Sequence, residues 1–160
     1  SLISYFILYK KINIKIDNYI IEYEFMELNI LKIASDTSHN KILNNFTHRA
    51  YKKNPMCGDY IIFKIYMKKQ IIEDISYESK SCIYCQASAS LISKHFLKKK
   101  LVYVVKVIKL TNQYYKNHDI EISGVMKKIF NKKNLKRKEC IYLPIKALSR
   151  ALKIENLFNQ

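Results

Sequence analysis

The chain has 160 residues, 49% of them hydrophobic, with 29 Lys+Arg against 13 Asp+Glu and a formal net charge of +16. That length suits one domain with its own core, and the hydrophobic share excludes wholesale disorder. Two Gly and two Pro exclude collagen-like and linker-dominated chains. The charge raises nucleic-acid binding as a function, but its makeup argues against it. Of the basic residues 26 are Lys and 3 are Arg, and Arg is the side chain suited to bidentate phosphate and guanine contacts. The chain also carries 25 Ile, 13 Asn and 13 Tyr. Lys, Ile, Asn and Tyr all have AT-rich codons, so base composition accounts for much of the excess.

No stretch of sequence approaches the ~20 apolar residues of a membrane-spanning helix, so no membrane partner is expected. Ser1–Tyr9 is an uncharged run closed by Lys10-Lys11. It lacks the leading basic region and small-residue cleavage site of a signal peptide. Four cysteines without a secretory signal predict a reducing, cytoplasmic setting, where spaced cysteines serve as metal ligands or reactive thiols.

Residues 1–25 are rich in Ile, Tyr and Lys and lack helix caps. They read as a non-native or flexible extension ahead of a domain opening at Met26. The alternative is an edge strand over residues 12–25. Leu28, Leu31 and Ile33 predict a short helix ending near Asp36. Ser38 predicts the cap of a second helix, with Ile42, Leu43, Phe46 and Ala50 at helical spacing. Asn54-Pro55 breaks it. Tyr60–Met67 and Ile71–Tyr77 predict a hairpin turning at Lys68-Lys69-Gln70, and residues 78–82 a third short strand. Gln86–Leu97 returns to helical spacing, with Ala87, Leu91, Phe96 and Leu97 for the core. Leu101–Tyr115 is long enough for another helix, broken at Asn117–Asp119. Val125–Phe130 follows as a helical piece, then a Lys-rich connection over Asn131–Glu139. Pro144 is placed as the first residue of the last helix, with Ile145, Leu148, Ala151 and Leu152 on one face. The expected class is α+β, a small antiparallel three-stranded sheet packed by helices.

The chemistry lies in Cys57, Cys82, Cys85 and Cys140. Cys57 sits in Asn54-Pro55-Met56-Cys57-Gly58-Asp59, a turn that sets a carboxylate two residues from a thiol. Cys82 falls where a strand gives way to a helix, and Cys140 shortly before the expected Pro144 helix. Backbone N–H groups at a helix start favour thiolates. Three such thiols and an Asp would complete a tetrahedral site for zinc or an iron–sulfur cluster. Cys82-Ile83-Tyr84-Cys85 is a CxxC with no second CxxC to match it, so Cys85 is either a small buried filler or an extra ligand.

Together, Asn54–Asp59, Ile72-Glu73-Asp74-Ile75 and Ser81-Cys82-Ile83-Tyr84-Cys85-Gln86-Ala87-Ser88-Ala89-Ser90 resemble the NifU-like iron–sulfur assembly scaffolds, including their IscU and SufU branches. The resemblance covers roughly residues 26–155. It implies a SufE/NifU-like fold over a scaffold domain at 26–160, with Cys57, Asp59, Cys82 and Cys140 as the metal or cluster ligands. It further implies a protein that accepts sulfur from a cysteine desulfurase, binds iron, and assembles a [2Fe–2S] cluster for transfer to apo iron–sulfur proteins. Such a protein is a carrier with no turnover chemistry of its own. An Asp is a harder, weaker ligand for iron than a thiolate, which suits a site that must release its cargo.

Some residues depart from the family pattern. Ser81 replaces the usual Gly before the second Cys, and Cys85 a usually small non-Cys residue. Glu139 precedes Cys140 where the IscU branch has His, and Asn134–Lys138 holds no chaperone-recognition motif. These features lean toward the SufU branch and its enzymatic alternative, a zinc-dependent sulfurtransferase with Cys140 as persulfide acceptor. A basic nucleic-acid module is the remaining alternative.

His39, His48, His95 and His118 lack metal-ligand spacing to a cysteine and read as structural or solvent-facing. Ser88 and Ser90 have no paired base, so tight helix packing explains them better than nucleophilic catalysis. Glu73-Asp74 suits an exposed strand position. The Lys runs at 98–100, 127–128 and 132–138 form a solvated face, or a docking face for an acidic partner such as the desulfurase.

Overall fold

The structure is a computed structural model that describes residues 28–122 and 124–158. The extension expected at 1–25, and its alternative strand, lie outside the described residues. Strands β1 (His48–Lys53), β2 (Tyr60–Lys68) and β3 (Ile71–Lys80) form one antiparallel sheet in the order β1-β2-β3. The helices are α1 (residues 28–34), α2 (Ile83–Phe96), α3 (Leu101–Lys116) and α4 (Lys138–Ala151). Short 3₁₀ turns occupy Gly124–Lys128, Lys132–Arg137 and Glu155–Phe158. The predicted α+β class holds.

In β2, Ile61, Phe63 and Ile65 alternate onto the buried face, as strand geometry requires. In β3, Ile72 and Ile75 are both fully buried although three residues apart. Strict alternation would place them on opposite faces. The register slips between Tyr66 and Met67, pairing Tyr66 with Asp74 and Met67 with Ile72. Glu73 is the extra residue of this bulge, and it resets the alternation so that Ile72, Ile75 and Tyr77 share one face. Helix α4 lies over β1 and β2, and α2 packs beside it against β3. Phe63, Tyr77, Phe96 and Tyr142 are the largest fully buried aromatics between these layers, each contributing on the order of 2 kcal/mol or more by burial.

Three expectations are corrected. No second helix forms after Ser38: residues 37–47 have no helix, and Ala50 is buried as a strand residue opposite Phe63. Tertiary pairing outweighs local spacing here. The buried His39 accepts the Tyr77 N–H at its carbonyl and sets its ring Nδ1 2.9 Å from the Ile75 carbonyl, fixing this segment along the outer edge of β3. The third strand is β1, and residues 78–80 simply continue β3. Finally, Pro144 lies inside α4 instead of opening it. A 3₁₀ turn capped by the Asn131 side chain leads straight into α4, with the Lys138 N–H bonded to the Leu135 carbonyl. The helix therefore begins six residues earlier than a proline signal suggests.

Helix α1 forms where expected but buries a different stripe. Ile30 and Ala34 enter the core, while Leu28 and Leu31 stay exposed. Helices α2 and α3 match their predicted positions to within three residues, and the helical piece expected at Val125–Phe130 is the 3₁₀ turn Gly124–Lys128.

The hairpin turns on Lys69 and Gln70, whose φ values are 49° and 61°. Two positive φ angles in a two-residue loop are the geometry that Asn-Gly fits without strain. Replacing Lys69→Asn together with Gln70→Gly is expected to stabilise the fold by about 1 kcal/mol, measured as a raised urea midpoint at unchanged slope.

Candidate metal centre

The turn 54–59 is built by its first residue. Asn54 is buried; its side-chain oxygen accepts the Met56 N–H at 3.0 Å and its carbonyl accepts the Gly58 N–H at 2.9 Å. The Asn54 N–H closes the loop on the Asp59 carbonyl at 2.7 Å. Gly58 has φ +78°, a conformation that L side chains rarely adopt. This tight reversal leaves Cys57 exposed and places Asp59, half-buried, at the foot of β2.

Cys82 is the N-cap of α2, with φ −66° and ψ 164° and no side-chain capping bond. Its N–H donates to Asp59 Oδ2 at 3.0 Å. A single carboxylate thus fixes the turn carrying Cys57 relative to the helix carrying Cys82. Cys140 sits in the first turn of α4 and not on a loop before it. Pro144 has no N–H to offer the Cys140 carbonyl four residues back.

These elements bring one donor atom each from Cys57, Asp59 and Cys140 within 4.8 Å of one another. The Cys82 thiol is not one of this group; it lies near enough to the Cys140 thiol to disfavour its ionisation. Cys85 is fully buried in the core behind them. Burial, the neighbouring Cys82 thiol, and the negative charge available on Cys82, Cys57 and Asp59 push the Cys140 thiol up to about 12. Burial likewise pushes Cys85 up to about 12, partly offset by the nearby Ser81 hydroxyl, with further upward pushes from Cys82, Asp59 and Cys57. Thiols and a carboxylate whose anionic forms would repel one another therefore lie close together. A bound cation relieves that repulsion and ionises the thiols.

Two supports were not legible as such. In the Ala-Ser-Ala-Ser run, Ala87 and Ala89 are fully buried. Ser88 donates to the Ile141 carbonyl at 2.7 Å and Ser90 to the Asp36 carbonyl at 2.7 Å. The packing role expected for these serines is what the structure shows, but their partners in α4 and beyond α1 have no sequence signal. The second support is Glu139. It accepts from the Tyr115 hydroxyl and from Lys146 Nζ at 2.9 Å, tying the first turn of α4 to α3. Burial alone would raise the Glu139 carboxyl; these two bonds and the nearby Lys138 charge hold it below its ordinary value.

None of the histidines has a ligand atom in this group. His39 bonds Ile75, His48 bonds Thr47, His95 bonds Tyr103 and His118 bonds the Tyr114 carbonyl. Glu73 and Asp74 pair with Lys98 and Lys41 at the surface. No helix among the described residues is long and apolar enough to cross a membrane.

Comparison with known proteins places this arrangement. The family model described as the NifU-like N-terminal domain matches residues 27–153. An uncharacterised protein of Borreliella burgdorferi is 32% identical over 116 residues, covering 71% of this chain and 81% of that protein. The iron–sulfur cluster assembly scaffold protein IscU of Thermotoga maritima is 25% identical over 128 residues, covering 78% of this chain and 89% of that protein. Among solved structures, the candidate scaffold protein for the SUF system of Fervidobacterium islandicum AW-1 superposes with a TM-score of 0.70 at 21% identity, covering 78% and 93% of the two chains. A NifU-like N-terminal protein of Brucella abortus gives 0.70 at 18% identity, covering 80% and 92%. The SufE/NifU-like fold expected from the motifs is the one observed.

Ser88→Ala removes the hydroxyl that donates to the Ile141 carbonyl at a buried position. It is expected to cost about 1–2 kcal/mol, read from urea unfolding, and to loosen the placing of Cys140 near Cys82. Ser90→Ala, whose bond lies nearer the surface, is expected to cost less.

Proposed function

This chain belongs to the NifU-like N-terminal domain family of iron–sulfur cluster assembly scaffolds, and from that premise we propose that it builds a transferable [2Fe–2S] cluster on Cys57, Asp59, Cys82 and Cys140. The observation that carries the reading is the convergence of Cys57, Asp59 and Cys140 within 4.8 Å at a partly exposed position, with Cys82 bonded to Asp59 through its backbone. Cys57 on its exposed turn is the side from which iron and sulfide enter and the cluster leaves. Cys82 and Cys140, half-buried on the ends of two packed helices, form the fixed wall. Sulfur arrives from a cysteine desulfurase, and apo iron–sulfur proteins receive the product. The protein acts as a carrier.

Asp59 has two duties in this scheme. One oxygen holds the Cys82 N–H, and the carboxylate supplies the fourth, weakest ligand. Three thiolates and one hard oxygen hold a cluster less tightly than four thiolates. Anaerobic reconstitution with iron and sulfide, followed by visible absorption and metal analysis, tests the reading. Stoichiometric tight zinc with no stable cluster would replace it by the zinc-dependent sulfurtransferase reading, in which bound zinc ionises Cys140 for attack on the desulfurase persulfide.

In the reconstituted protein, Asp59→Cys, which would replace the weakest donor by a fourth thiolate, is expected to lengthen cluster lifetime severalfold by slowing hand-over to an apo-ferredoxin. Faster decay in that variant would contradict the role given to Asp59.

The pH dependence of loading has a definite sign. Cys140 stays protonated in the metal-free protein up to about 12, so metal must displace its proton. Apparent affinity for Co²⁺ or Zn²⁺ is expected to rise with pH between about 6 and 8, by up to about tenfold per pH unit for each proton displaced. Competition against a chromophoric chelator reads this directly. Affinity independent of pH would mean that the thiols are not the ligands.

A further inference from the structure

Among the described cysteines Cys85 is one that the scaffold reading does not use, and it lies three residues from Cys82. Cys82 and Cys85 occupy the N-cap and the third helical residue of α2. Across that spacing helix geometry puts their Cα atoms about 5 Å apart, within the 4.4–6.8 Å that a disulfide needs. We propose that Cys82 and Cys85 are a reversible dithiol–disulfide pair, oxidised by low-molecular-weight disulfides, and that oxidation withdraws Cys82 from the site beside Asp59. The first half stands on the CxxC placement alone. The second rests on the ligand role proposed above for Cys82.

The two sulfurs differ in access. Cys82 is half-buried and Cys85 has no exposed surface, so a dissolved oxidant meets Cys82 first. The Cys82 thiolate attacks one sulfur of a disulfide RSSR, forming a mixed disulfide and releasing one RS⁻. Cys85 then attacks the Cys82 sulfur, its proton passing to the departing RS⁻. The internal S–S bond forms and the second RS⁻ leaves. Two cysteine thiols are oxidised, one RSSR is reduced, and two RSH result. A bare Cys82 would keep the adduct; the neighbour three residues on removes it.

Cys140 also lies near Cys82, but its position is more constrained. The first turn of α4 is tied to α3 through Glu139, Tyr115 and Lys146, and to α2 through Ser88 and the Ile141 carbonyl. Drawing the two sulfurs of a Cys82–Cys140 pair to about 2.05 Å requires these elements to shift. Cys82 and Cys85 share one helix end, and the Cys82 side chain is not committed to capping.

The test uses the full chain, stripped of metal and equilibrated in glutathione buffers from fully reduced to fully oxidised, then acid-quenched, alkylated and digested with trypsin. Cleavage separates the cysteines into three peptides, Asn54–Lys64, Ser81–Lys94 and Glu139–Lys146. The expected result is a Ser81–Lys94 peptide that loses two hydrogens and takes no alkyl group, while the other two are alkylated, all reversed by dithiothreitol. In Cys85→Ser, Ser81–Lys94 is expected to retain one glutathione. A cross-link from Ser81–Lys94 to either other peptide, or two alkyl groups on it across the whole series, would overturn the pair. The second half is read from Zn²⁺ affinity, expected to fall at least tenfold on oxidation of the wild type. If the disulfide forms and Zn²⁺ affinity is unchanged, Cys82 is not a ligand, and the failure belongs to the metal reading and not to the dithiol pair.

Discussion

The close approach of α2 and α4 is the contact on which the site depends. Two fully buried alanines, Ala87 and Ala89, let the helices meet, and Ser88 between them bonds the Ile141 carbonyl. Large side chains at these positions would hold the helices apart. Because Cys82 caps α2 and Cys140 lies in the first turn of α4, this contact sets the distance between two of the thiols. The small-residue run and the cysteines are therefore one device: the run provides the packing and the cysteines occupy its open end.

A second constraint closes the group from the sheet side. Asn54 folds the turn that carries Cys57, and Asp59 at its end takes the Cys82 N–H. A carboxylate fixed by an uncompensated helix-start donor is satisfied without leaving the surface. The same carboxylate therefore fixes the turn and also lies within reach of the Cys57 and Cys140 thiols. The crowding of thiols and carboxylate leaves Cys140 hard to ionise. That is an electrostatic arrangement favouring cation capture over a free nucleophile.

The basic charge plays a separate part. From Ser93 onward there are 17 Lys+Arg against 4 Asp+Glu, so +13 of the +16 lies beyond the Ala-Ser-Ala-Ser run. Some of these lysines are engaged with partners: Lys98 with Glu73, Lys127 with Glu121, Lys132 with Asp119, and Lys138 and Lys146 over the Tyr115 ring. Lysine also stands at left-handed backbone positions 69, 98 and 153, where glycine would be less strained. A chain with two glycines has had to make its turns from other residues.

The sequence by itself determined the hairpin, the two helices that follow it, and the motifs that carry the cysteines. It did so because alternation, helical spacing and the Cys-Gly-Asp turn are local patterns with local physical causes. Tertiary structure decided what those patterns could not carry. Ile42, Leu43, Phe46 and Ala50 have helical spacing, yet no helix forms there because His39 is bonded to β3 and Thr47 to Ile65 of β2. Pro144 reads as a helix start, yet α4 begins at Lys138 because the capped turn before it already supplies the first helical geometry. Glu73 shifts the register of β3, and the pairing of Ser88 with Ile141 and of Asp59 with Cys82 spans 53 and 23 residues. Such contacts join segments whose separation along the chain erases any periodic signal. The candidate donors were named from local motifs, and the convergence of Cys57, Asp59 and Cys140 was set by packing.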